Sequence, residues 1–156
     1  MANPPQRQYL ENKVLMASRE ELLLMLFDGA IRFAQQAWPR LEAKEYPEYC
    51  ILLRKAQDIV RELMAALNRE ELGEDLYANL MDLYRFVQTR LAKANLRKEK
   101  TLIDEAVRIL AHLRDTWAQA IAKDRLEKFP ELAIVQAIAK EASGEDDSPN
   151  PLNVQG

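Results

Sequence analysis

Glycine is scarce in this 156-residue chain: there are four, and only Gly29 and Gly73 stand in its body. Hairpin turns and phosphate-cradling loops depend on glycine, so the shortage argues against all-β folds, dinucleotide-binding units and nucleotide loops. A single cysteine, Cys50, has no partner for an internal disulfide, and a single histidine, His112, leaves no Cys/His cluster for zinc. No apolar run approaches the ~18 residues of a membrane span. The first residues, MANPPQRQYLENK, also lack the charged-then-apolar pattern of a secretory leader. A soluble protein of the reducing cytoplasm is expected, with no membrane insertion. A basic excess is missing too, with 22 Lys and Arg against 25 Asp and Glu. Three of the acids, Glu145, Asp146 and Asp147, fall in the last 14 residues, and without them the charges balance at 22 each. Nucleic-acid binding usually requires a strong positive surplus, so that class is set aside.

What remains is rich in Ala, Leu, Glu, Lys, Gln and Arg, the strong helix formers, and predicts an all-α protein. An N-terminal cap segment covers 1–17. Pro4 and Pro5 oppose an early helix there, while Tyr9, Leu10, Val14 and Leu15 are too apolar for a free tail and should lie against the body. Ser18 to Glu21 reads as a capping box, and Leu22, Leu26, Ala30, Phe33, Ala37 and Leu41 continue at helical spacing, with Pro39 perturbing the end. A second helix opens at Tyr46-Pro47 and runs to Leu67, followed by a connection over 68–74. A third helix is expected over 75–95, with Leu76, Leu80, Leu83/Tyr84, Val87, Leu91 and Ala94 inward, and a fourth over 101–123. Four helices of about 20 residues on short connections predict an antiparallel four-helix bundle over 18–123. A short fifth helix is expected within 124–142, over 131–142, and a disordered acidic tail over 143–156.

Catalytic chemistry finds little support. A di-iron bundle needs four carboxylates and two histidines, and the chain has one histidine. A phosphotransfer histidine needs accessibility; His112 has it, about 200° around its helix from Leu110, but Asp115 one turn on opposes an added phosphoryl charge. Cys50 has no activating histidine nearby, and no Gly-x-Ser-x-Gly elbow is present. No enzyme and no cofactor are expected. The unusual feature is surplus apolarity. Tyr49 to Leu53 and Met64 to Leu67 are apolar nearly all round, and Phe86 stands on the non-core side of the third helix. A bundle core takes one stripe, so Cys50, Ile51, Met64 and Phe86 point to an interaction surface, or to positions covered by the chain's own ends.

The string Ser18-Arg19-Glu20-Glu21-Leu22-Leu23-Leu24-Met25-Leu26-Phe27-Asp28-Gly29-Ala30-Ile31-Arg32-Phe33 closely resembles the opening helix of the flagellar secretion chaperone FliS family. Tyr9 to Leu15 resembles the segment before it, and Lys55 to Leu63 the second helix. Asn79-Leu80, Leu83-Tyr84, Arg90-Leu91 and Ala94-Asn95 look like the third helix, and Leu110, Leu113 to Trp117 and Ala120 like the fourth. The resemblance implies a cytoplasmic, non-catalytic chaperone that binds the C-terminal region of flagellin, prevents premature polymerisation and delivers it to the export gate. An adaptor for another flagellar protein, such as a filament cap or an anti-sigma factor, is the alternative. Under this reading the flagellin contacts are expected at Cys50, Ile51, Gln57, Met64, Tyr84, Phe86 and Asn95, with Tyr9, Leu10, Val14 and Leu15 as the cap. Whether the free protein is a monomer is left open, and the family implies no role for residues 125–156.

Overall fold

The computed structural model describes residues 4–128 and 130–144. The chain divides into two compact units, Met1–Ala118 and Gln119–Gly156. Its helices are α1 (Pro4–Met16), α2 (Arg19–Glu42), α3 (Tyr46–Ala65), α4 (Arg69–Leu72), α5 (Glu74–Arg97), α6 (Lys100–Lys128) and α7 (Leu132–Ser143), and no strand occurs among the described residues. The fold is an all-α helical bundle.

Helix boundaries follow local chemistry. The Ser18 side chain accepts from the Glu21 N–H at 3.2 Å and caps α2. That helix runs through Pro39, whose missing N–H falls in its last turn, and the Ala43 N–H closes on the Pro39 carbonyl. Asn68 caps the one-turn α4 inside the expected connection, accepting from Glu70 and Glu71. Gly73, at φ 82°, then redirects the chain into α5, a conformation that a β-carbon would strain.

In the first unit α2, α3, α5 and the first part of α6 form a closed ring of neighbours. A β-carbon at Gly29 of α2 would stand 3.3 Å from Ile59 Cδ1 of α3, so the two helices approach closely there. Tyr49 of α3 bonds to Ala94 of α5, Arg90 of α5 pairs with Glu105 of α6 at 3.0 Å, and Arg114 of α6 pairs with Asp28 of α2 at 3.0 Å. The enclosed core is apolar, built on Phe27, Leu53, Val60, Tyr84, Leu91 and Leu110, and no polar or charged residue is buried among the described ones. The interior therefore supplies packing, and any chemistry of recognition must lie on the surface.

Several expectations are corrected here. The first residues do form a helix, α1, because proline at the opening positions loses no helical hydrogen bond. Tyr9, Leu10 and Leu15 of that helix are exposed, at 67%, 55% and 82%, so they do not cover the bundle in this structure. The Val14 side chain lies outside the described residues. Leu76 is exposed rather than inward, at the start of α5 before the core stripe begins at Leu80, and of the pair Leu83/Tyr84 only Tyr84 is buried. The fourth long helix extends to Lys128, five residues beyond its expected end at Lys123. In the second unit, α7 leaves Ile134, Val135 and Ile138 exposed and ends on Gly144 at φ 73°. The tail expected from 143 therefore starts later, since Ser143 closes α7 and Gly144 follows it, and residues 145–156 lie outside the described residues.

Candidate functional site

The seam between α3 and α5 is a ladder. On α3, Cys50, Gln57 and Met64 recur every seven residues, two helical turns, and form one row beside the core residues Tyr49, Leu53, Ala56, Val60 and Leu63. On α5, Met81, Gln88 and Asn95 recur in the same way beside Leu80, Tyr84, Val87, Leu91 and Ala94. The helices run antiparallel, so the rows meet rung against rung. The Cys50 thiol donates to Asn95 Oδ1 at 3.1 Å. Gln88 Nε2 donates to the Gln57 carbonyl at 2.8 Å. The same register sets Met64 opposite Met81. All six residues are half-buried.

Tyr49 pins this register from beneath. Its hydroxyl donates to the Ala94 carbonyl at 2.6 Å. Burial, with a smaller contribution from Cys50, pushes the phenol up to about 12, so it stays a donor at physiological pH. At the middle rung, Gln88 Oε1 is buried without a hydrogen-bond partner. The surface above offers a thiol, three amides and two thioethers. Methionine side chains adapt to irregular apolar partners, and the amides fix orientation. The arrangement suits docking of a helix or an extended segment and carries no acid–base or nucleophilic pair. Among the described residues no cluster of three or more His, Cys, Asp or Glu could hold a metal. No helix among them is long and apolar enough to cross a membrane.

Four residues anticipated as contacts, Cys50, Gln57, Met64 and Asn95, come together in this seam. Three do not. Tyr84 is fully buried against Phe27, ring centroids 6.2 Å apart, and so presents no surface to a partner. Burial pushes its phenol up to about 12. The Trp117 indole opposes that shift, but no well-aligned hydrogen bond reaches the hydroxyl. Ile51, 50% exposed, lies about 200° around α3 from Tyr49, on the outer face. Phe86, 38% exposed, lies outside the seam, under the Arg90 guanidinium at 4.5 Å from its ring centroid. Met81 and Gln88 were missed by residue-level reading; the signal that finds them is their seven-residue spacing from Asn95, matched to that of Cys50, Gln57 and Met64.

A second, more polar seam lies between α2 and α3. The half-buried Phe33 ring is flanked by Arg32 and Lys55, each 5.4 Å from its centroid. Beyond it a shallow depression is lined by Gln36, Pro39, Arg40, Glu45 and Leu52, with Arg40 Nη1 and Glu45 Oε2 paired at 2.7 Å.

The family described as "Flagellar protein FliS" matches residues 1–124. The "Flagellar secretion chaperone FliS" of Bacillus subtilis (strain 168) is 32% identical over 124 residues, spanning 80% of this chain and 91% of the relative. That of Escherichia coli (strain K12) is 27% identical over 121 residues, 78% of this chain and 89% of the relative. The "Flagellar secretion chaperone FliSB" of Pseudomonas aeruginosa is 33% identical over 112 residues, 72% and 88%.

Proposed function

The chain belongs to the FliS family, and from that premise we propose that it is a flagellar secretion chaperone. It binds the C-terminal segment of flagellin in the cytoplasm, prevents premature polymerisation and hands the client to the export apparatus. The observation that carries the client-binding part is the half-buried α3–α5 ladder, a seam with adaptable thioethers at one end and amide rungs toward the other. A filament segment held apart from its own kind exposes apolar helical stripes, and a seam between two helices can shelter one. Because the client orders as it binds, the ordering entropy is subtracted from its affinity, which keeps release feasible. No step of bond making or breaking is required, in keeping with relatives named as chaperones.

Calorimetry with flagellin and with flagellin lacking its last ~40 residues, a length on the scale of a segment that folds on binding, tests the client. Loss of binding only in the truncated form supports the reading. Equal binding of both forms overturns it and favours an adaptor for a different flagellar protein. Met64→Glu and Met81→Glu test the seam. Each should weaken binding while the melting temperature holds within a few degrees, since both side chains are half-buried rather than in the core.

A further inference from the structure

The turn joining α5 to α6 concentrates, within five residues, choices that a stable helical hairpin does not need. Leu96 is 82% exposed. Lys98 ends α5 in the left-handed region, φ 54° and ψ 45°, where glycine would be free of strain. Lys100 opens α6, whose first turn carries no acidic residue. The other bundle helices, α2, α3 and α5, all begin with a carboxylate that complements the helix dipole. Finally, Arg97, Lys98 and Lys100 are all exposed, and none has an ion-pair partner among the described residues. Glu99 alone offsets them in this turn, with Lys93 adding a further cation one turn back.

The neighbouring turn extends the same surface. The bonds from Tyr49 to Ala94 and from Cys50 to Asn95 bring the start of α3 beside the end of α5. Tyr46, 48% exposed, therefore stands at this end of the bundle. So does Lys44, which is left-handed at φ 62°. Departures from local preference that gather in one place, in a chain otherwise consistent, mark a site rather than an accident of packing.

We propose that this end of the bundle docks an acidic segment of a protein partner that also carries an apolar side chain. Its carboxylates meet Arg97, Lys98 and Lys100, and its apolar group covers Leu96. The charge complementarity is local: the chain as a whole carries a net charge of -3, while the turn presents three unpaired cations around one leucine. An anionic membrane is the weaker fit, because surface anchoring takes a broad polybasic face with a larger apolar stripe. This surface does not depend on the flagellin reading, and it lies at the far end of the seam from the methionine rung.

The test uses the full chain and a fluorescein-labelled peptide of alternating glutamate and leucine, with a glutamine-for-glutamate control, read by anisotropy at low and high salt. The acidic peptide is expected to bind, to weaken as salt rises and to outcompete the control. Leu96→Ser, or Arg97→Glu with Lys98→Glu, should each lower affinity about tenfold with melting unchanged. Lys98→Gly separates docking from folding. It should raise the melting temperature, by relieving the left-handed lysine, and still weaken peptide binding. The proposal is overturned if the parent chain fails to bind the acidic peptide or binds the control equally. It is equally overturned if the variants bind like the parent, or if phosphatidylglycerol vesicles capture the chain in preference to the peptide.

Discussion

The Tyr49 hydroxyl and the Lys98 N–H converge on one acceptor, the Ala94 carbonyl, at 2.6 and 2.9 Å. One bond crosses the α3–α5 seam and the other ends α5. The register of the ladder and the conformation of the basic turn are thus held by the same atom. A change in α3 should therefore be felt at the turn between α5 and α6.

Tyr49→Phe removes the crossing bond but leaves the carbonyl paired with Lys98, so no acceptor is orphaned. The cost should be about 1 kcal/mol, read as a shift in urea midpoint at constant slope. Tyr84→Phe deletes a hydroxyl that lacks a well-aligned partner and should stay within about 0.5 kcal/mol of neutral. Equal losses from both would show that the Tyr49 bond is not special.

Alkaline pH should destabilise the bundle through the same two phenols. Both are raised from 10.0 to about 12. Between those values the unfolded chain has released protons that the folded chain retains, so stability falls as pH rises. The contribution is complete below pH 10 and lost as pH rises through the folded value near 12. Urea midpoints should hold to pH 9 and decline from about 10 upward, and a double Phe variant should flatten that decline.

Gly29→Ala adds a methyl 3.3 Å from the tip of Ile59, a side chain that can give way slightly. Helix propensity gains about 1 kcal/mol from the change and crowding takes most of it back. The net effect should lie within about 0.5 kcal/mol of zero. Gly29→Leu cannot be accommodated by so small a shift and should cost roughly 1–3 kcal/mol. Chemical denaturation of the two variants measures the difference.

Ile51→Asp and Phe86→Asp serve as controls for the seam. Both side chains are substantially exposed and lie outside the seam, Ile51 on the outer face of α3 and Phe86 beneath Arg90, so flagellin binding and stability should change little, by about 0.5 kcal/mol or less. Met81→Glu, by contrast, should lower flagellin affinity about tenfold. If Ile51→Asp abolishes binding while Met81→Glu leaves it intact, the client lies on the outer face of α3 instead.

The helical class and the four long helices were legible from residue order alone, because helix propensity, capping residues and apolar spacing are local properties. Ser18 capping α2 is a case: the hydroxyl and the N–H it satisfies are three residues apart. The core stripe was equally plain at Leu80, Val87 and Leu91, where the period carries the information. What residue order could not decide was which side of each stripe meets which neighbour. Cys50, Ile51 and Phe86 read alike as surplus apolar residues, yet one enters the α3–α5 seam, one faces outward and one lies beneath Arg90. Tyr84 reads inward by its spacing although the resemblance counted it among the contacts, and packing against Phe27 holds it in the core. The pairing of Cys50 with Asn95, and of Gln57 with Gln88, joins positions 45 and 31 residues apart. Such a register exists only once two antiparallel helices have docked, and the distant partners that set it are invisible to any local period.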